Sequence, residues 1–398
     1  MLGDCWLLST CAALAKREDL LHKVLPPDQK LYGPNYTGQI KLRIWQFGQW
    51  QEVVIDDKLP LTKKKKYIYA HCAEVTEFWV ALIEKAFAKL NGSSASIEGG
   101  MPIESMVDLT GGLAERYDLT TMDEALLYDF IRRSFSADAF ITCSRKGDWR
   151  QAHASDMNGL VQGHAYTITG VYRLYLHDEL RHLVRVRNPW GDNNEWKGNW
   201  SDHDPKWQEI DRESRHKIGL QHKADGEFWM DFFQDFVQEF EEVSICTIGP
   251  DFDYDGKVDD VSTTIQLTSS WILGDNAGGS RNDFQLFATN PKFKLTAKHE
   301  SNQVIISLAQ KKLPMQKLNQ IGFTIYEANK TDEYTWEYFK ASTAVATSGT
   351  YINYREVFGR FTLSAGSYVI IPATFLPNIQ CDFLLRIFSQ EKVTLTKI

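Results

Sequence analysis

The chain has 398 residues, 43% hydrophobic and 24% charged, with a formal net charge of −8. That length suggests two to three domains, each with enough apolar residues for a core, and the acidic balance excludes nucleic acid as the main partner while suiting cations. No apolar run approaches the roughly 18 residues of a membrane span, and no basic stretch of a secretory signal opens the chain.

Apolar periodicity begins almost at Met1, in MLGDCWLLST, with no cap or loop before it, which suggests that the sequence lacks its natural N-terminus. Residues 5–16, CWLLSTCAALAK, have apolar and small residues at helical spacing and predict a buried helix. IKLRIWQFGQWQEVVIDDKLP alternates around Gly48 and predicts a β-hairpin. The run Lys63 to Lys66 reads as a solvated turn. Residues 74–91 predict an amphipathic helix stopped by Asn91-Gly92, and Gly99-Gly100 a hinge between two halves. Residues 123–135 read as helix. From 137 short strands follow: AFITCS, GHAYTITGVYRLY and HLVRVRNPW, on to SICTIGP near 250. DFDYDGKVDD (251–260) reads as an acidic linker. Beyond it helical patterns end, and TTIQLTSSW, FQLFAT, KFKLTA, QVIISLAQ, GFTIYEA, RFTLSAGSYVIIPATF and DFLLRIFS predict an antiparallel sandwich.

The six cysteines are scattered and form no CxxC pair, which argues against a disulfide framework or a zinc site and fits a reducing compartment. Cys5 sits at a helix start, where backbone N–H groups and the helix dipole favour a thiolate. Taken alone, a buried structural cysteine satisfies the pattern equally. Among the histidines, His22, His177 and His203 lie in ordinary polar contexts. His164, in QGHAYTITG, stands between Gly163 and Ala165, with room for a substrate backbone; a hydrogen-bonded core histidine also fits there. Asn188, in RVRNPWGDNNEW, ends the next strand, beside His164 on an antiparallel pair, and Trp190 is placed to shield the two. A Cys…His…Asn order, with the cysteine on a helix and the others on a sheet, follows papain-like logic.

GDCWLLS, TEFWVALIEKAFAKLNG, GHAYTITG, NPWGDNNEWKGNWSD and DGEFWM resemble the calpain family closely, and WILGDNAGG and SYVIIPATFLPN resemble its β-sandwich domain. The resemblance implies an α+β fold: a papain-like two-lobed cysteine peptidase core followed by an all-β C2-like sandwich. It implies lobe 1 over 1–100 with Cys5, lobe 2 over 101–250 with His164 and Asn188, and the sandwich over 251–398. The activity implied is a calcium-dependent cysteine endopeptidase making limited cuts in cytoplasmic proteins, with Gly100, Gly163 and Trp190 along the substrate cleft. The sandwich would carry phospholipid or regulatory contacts.

Glu195, Asp202, Asp225 and Glu227 lie in two loops that match no EF-hand, and spacing alone favours ordinary solvated carboxylates. The resemblance reverses that reading: these four side chains and the Lys223 carbonyl would hold one Ca2+, and Glu77 would contribute to another in the first lobe. Calcium would then bring the lobes together, with Trp190 moving from between them. Family members also carry a glutamine several residues before the cysteine that helps build the oxyanion hole. Here the chain begins MLGDCW without it, leaving the Cys5 backbone N–H as donor. Loss of one oxyanion donor costs about 10²–10³ in rate. A calpain-like scaffold or fragment with impaired catalysis is therefore one alternative. Transglutaminase-like acyl transfer is another, disfavoured by Asn188 as the third partner.

Overall fold

The computed structural model describes residues 3–398 except 73, 75, 149, 151–153, 314 and 315. The chain divides into two compact units, Met1–Gly249 with Tyr254–Lys257, and Pro250–Asp253 with Val258–Ile398. All six cysteines are free thiols.

The first unit opens with α1 (Cys5–Leu14) and α2 (Glu18–Val24), then the hairpin β1 (Gln39–Gln46) and β2 (Gln49–Asp56). The hairpin turns at Phe47 and Gly48, both at positive φ, the two-residue turn whose twist matches that of the strands. Helix α3 (Trp79–Asn91) ends at Gly92 in the left-handed conformation. It starts five residues later than its apolar pattern suggests, and residue 75 of that pattern lies outside the described residues. Helix α4 (Pro102–Thr110) takes proline in its first turn, where a missing N–H costs nothing. These elements share one apolar core that runs from Trp6 to Ala114 and takes in Phe140 and Cys246.

That core crosses the hinge expected at Gly99-Gly100, because α4 adds Met106, Val107 and Leu109 to it. Past α4 the chain turns at Gly111-Gly112, and Ala114 beyond the turn still belongs to this core. A side chain on Gly112 would lie 2.1 Å from the Thr247 carbonyl, so only glycine lets the two backbones pass.

Next come β3 (Leu113–Asp118), α5 (Glu124–Ser136), β4 (Phe140–Arg145), β5 (Ala165–Leu176), β6 (Glu179–Arg187), β7 (Glu227–Asp231) and β8 (Phe240–Thr247). The strands form one antiparallel sheet in the order β3-β8-β4-β5-β6-β7. A second core, from Leu119 to Ile245, packs on it. Short helical segments at 206–217 and 232–239 interrupt the run of strands expected up to 250.

The second unit is a two-sheet antiparallel sandwich. Its strands are β9 (Thr263–Trp271), β10 (Phe293–Ala297), β11 (Asn302–Gln310), β12 (Ile321–Glu327), β13 (Ala346–Thr347), β14 (Glu356–Leu363), β15 (Gly366–Thr374), β16 (Cys381–Ser389) and β17 (Val393–Lys397). The sheets run β13-β12-β15-β10-β17 and β14-β11-β16-β9, and Trp271, Phe293, Phe323 and Phe383 lie buried in the core. FQLFAT is not a strand. Phe284–Phe287 form a helical turn because the Asp283 carboxylate accepts the amides of Gln285 and Leu286. Trp336–Ala341 is a second short helix, capped by Thr335, so helix does not end at the linker.

Candidate active site

Helix α1 is apolar on nearly every side, so it sits inside the unit rather than on its surface. Three bonds fix it. The Trp6 indole donates to the Ile97 carbonyl at 3.0 Å. Thr10 and Ser105 share a hydroxyl contact at 2.7 Å, tying α1 to α4. Thr167 Oγ1 donates to the Ser9 carbonyl at 2.6 Å, tying α1 to β5. The last bond places the start of α1 against the start of β5, where His164 and Ala165 stand. The Ala165 backbone amide reaches the Cys5 thiol.

His164 and Asn188 are adjacent because β5 and β6 pair with Thr167 opposite Arg187. Both side chains are buried. His164 Nε2 lies 2.9 Å from Asn188 Oδ1. The Asn188 amide cannot turn over. Its Oδ1 accepts the Trp190 backbone N–H at 3.1 Å, and its Nδ2 donates to the Asn194 carbonyl at 3.3 Å. An accepting Oδ1 puts the imidazole proton on Nε2. Nδ1 is then a bare lone pair, and it has no hydrogen-bond partner among the described residues. The Trp190 ring lies 4.5 Å from the imidazole, tilted over it. Cys5, Trp6, Gly100, Gly163, His164 and Trp190 line one cavity of about 860 Å³. Gly100 is tight against the nucleophile's helix: a side chain there would come within 2.5 Å of the Trp6 ring.

Burial dominates the electrostatics of the pair. Burial pushes the Cys5 thiol up, and the opposing amide contacts from Ala165 and the helix start do not overcome it. Burial likewise lowers His164 to about 4, against the bond from Asn188. Desolvation thus works against charge on both groups and opposes the thiolate that the helix start favours.

The carboxylates of the expected calcium loops are partly gathered. Glu195 Oε1 accepts the Gly226 amide at 2.7 Å, and Asp202 Oδ2 accepts the Lys223 amide at 3.1 Å. Burial raises both carboxyls, and repulsion among Glu195, Asp202 and Asp225 adds to the rise. The Lys223 carbonyl accepts the Asp225 amide at 2.9 Å. Glu227 is turned elsewhere: its Oε1 accepts Thr169 Oγ1 at 2.5 Å and lies 3.6 Å from Arg185 Nε. Glu77 is exposed and accepts the Trp79 indole at 3.3 Å. The loop and the histidine pair are joined through Gly226, whose carbonyl accepts the Asn188 backbone N–H at 2.7 Å. Among the described residues, the group of acidic side chains close enough to share one ion is Asp251, Asp253 and Asp259 in the second unit, within the stretch expected to be a linker.

A family model for the calpain family cysteine protease matches residues 1–247, and one for domain III of the calpain large subunit matches residues 267–388. The chain belongs to the calpain family. It is 40% identical to Calpain-9 of Rattus norvegicus over 405 residues, covering 98% of this chain and 58% of that protein. It is 38% identical to Calpain clp-1 of Caenorhabditis elegans, covering 98% and 52%, and 37% identical to the Calpain-2 catalytic subunit of Gallus gallus, covering 100% and 59%. The chain therefore spans a little over half the length of these relatives. Among solved structures, the pre-peptidase C-terminal domain of a Bacillus anthracis collagenase aligns at 10% identity over 31% of this chain and 88% of that one, with a TM-score of 0.20, which carries no argument.

Sequence reasoning missed three acidic residues near this site. Asp4 and Glu84 are buried, and Asp4 Oδ2 and Glu84 Oε1 find a partner among the described residues only if one carboxyl carries a proton for the other. Glu241 enters the cavity from β8. Asp4 and Glu84 lie in apolar stretches, a mismatch that could have flagged them, whereas Glu241 lies in the polar run QEFEEV.

Proposed function

We propose that this calpain-family chain is a calcium-dependent cysteine endopeptidase making limited cuts in cytoplasmic proteins, with Cys5 as nucleophile, His164 as base and Asn188 as orienter. The observation that carries the reading is the fixed Asn188 amide, which leaves His164 Nδ1 as a free acceptor in the cavity that also holds Cys5. His164 Nδ1 takes the Cys5 proton, and the sulfur attacks the peptide carbonyl. The imidazolium gives that proton to the leaving amine, and a thioester remains. His164 then deprotonates a water that hydrolyses it. Gly100 and Gly163, without side chains, leave room for an extended backbone, and Trp190 keeps water from the histidine pair.

Glu195, Asp202, Asp225 and Glu227, with the Lys223 carbonyl, would hold Ca2+; an all-oxygen, mutually repelling set fits a hard cation. When bound, the ion supplies the positive charge that this set lacks. For Glu227 to join it, the carboxylate must leave Thr169 and Arg185. Glu77 would serve a second ion in the first lobe. The division into lobes at 1–100 and 101–250, the cytoplasmic setting and phospholipid or regulatory contacts through the sandwich belong to the same proposal and rest on family membership.

The test is cleavage of unfolded casein with and without millimolar calcium, beside Cys5→Ala, together with alkylation of Cys5 by a peptide electrophile. Calcium-dependent cutting and labelling, both lost in Cys5→Ala, are expected. A chain that binds calcium yet neither cuts nor labels would instead be a non-catalytic member.

A further inference from the structure

The cavity that holds Cys5 and His164 also takes a side chain that the peptidase chemistry does not use. Strand β8 pairs with β4 so that Phe240 faces Arg145 and Glu242 faces Ser144. Glu241 falls between them as the extra residue of a β-bulge. Bulges re-aim side chains, and this one delivers Glu241 to the cavity wall instead of the regular face of the sheet.

The charges around it leave Glu241 uncompensated. Its neighbour Glu242 is buried and bound to Arg116. Arg145, on the same wall, is held by Asp156 and Glu239, both at 2.6 Å. Lys146 donates to the Gln238 carbonyl at 3.2 Å. The Glu241 carbonyl accepts the Leu119 amide, but its carboxylate has no hydrogen-bond or ion-pair partner among the described residues. Burial pushes this carboxyl up, with Glu242 adding repulsion that Arg116 and Lys146 only partly offset. Glu98 and Asp192 on the same cavity add negative charge, and the other arginine lining it, Arg150, is largely exposed and lies 3.6 Å from Asp148. A half-buried carboxylate with no cation of its own gains when one enters.

We propose that Glu241 is a specificity residue that selects substrates carrying a lysine or arginine side chain beside the bond that is cut. The selection rests on the peptidase reading of the same cavity, and two measurements keep the two ideas apart. The first compares kcat/KM for matched peptides that carry Arg, Leu or Glu at each of the three positions on either side of the scissile bond. At one position the full chain should prefer Arg over Leu by about tenfold, the scale of one charge-assisted hydrogen bond. Glu241→Gln should bring that ratio to about one, and Glu241→Arg should reverse it in favour of the Glu peptide. The second measures binding of the same fluorescent peptides to the Cys5→Ala chain, with and without Glu241→Gln. Equal Arg-to-Leu ratios in the chains with and without Glu241 overturn the proposal, in cleavage or in binding. Should no peptide be cut while the Cys5→Ala chain still binds the Arg peptide about tenfold tighter through Glu241, the peptidase reading falls and the selection stands.

Discussion

Glu84→Gln is the most discriminating test of how the cysteine's helix is supported. Glu84 and Asp4 are buried, 4% and 2% exposed, and Asp4 directly precedes Cys5. Burial, and then the hydrogen bond and charge of Asp4, push the Glu84 carboxyl from 4.5 up to about 9. The Asp4 carboxyl is also raised, chiefly by burial. At neutral pH the pair therefore shares one proton. The Ala70 amide donates to Glu84 Oε2 at 3.1 Å. A carboxyl whose folded pKa is raised contributes its full stability below the unfolded value and loses it as pH rises through the folded value. The loss should thus run from about pH 4.5 to about 9, at about 1.4 kcal/mol per pH unit. By pH 7.5 that is on the order of a few kcal/mol. The amide of Glu84→Gln donates to Asp4, accepts from Ala70 and has no proton to lose. Asp4 then carries the whole negative charge, which should reduce the gain to about 2 kcal/mol at pH 7.5. Urea unfolding followed by tryptophan emission at several values between pH 5.5 and 8.5 reads it directly. Glu84→Gln should gain on the native chain as pH rises. A difference that stays flat across this range, or that runs the other way, would refute the shared proton.

Asn188→Ala removes the only acceptor seen at His164 Nε2 among the described residues, and should lower kcat/KM by about ten- to a hundredfold and slow Cys5 alkylation in parallel. Gly100→Ala forces a methyl group to within 2.5 Å of Trp6; a stability loss of about 1–3 kcal/mol in urea is expected, with weaker casein cleavage as α1 shifts. Glu195→Gln or Asp202→Asn should raise the calcium concentration for half-maximal cleavage by about tenfold, and a terbium luminescence titration should move with it.

Much of the site could be read from local pattern. Cys5 heads an apolar helix, and His164 and Asn188 flank consecutive strands of a hairpin, so chain connectivity alone makes the last two neighbours. The same holds for the β1–β2 hairpin and most sandwich strands, whose alternation is a property of adjacent residues. FQLFAT misled because four apolar or aromatic residues fit a strand or a helical turn, and Asp283, just outside the pattern, decided between them.

By itself, the sequence determined the family, the order of elements and the residue types available for chemistry, because these depend on identity and spacing along the chain. Tertiary structure decided which groups meet and how dry they are. Only in the fold does Asp4 find Glu84, does α4 join the core of α1, does Glu227 turn to Arg185, and does a bulge carry Glu241 into the cavity. Only burial disfavours charge on the cysteine and the histidine. Desolvation and charge pairing act through space, over distances that spacing along the chain does not encode.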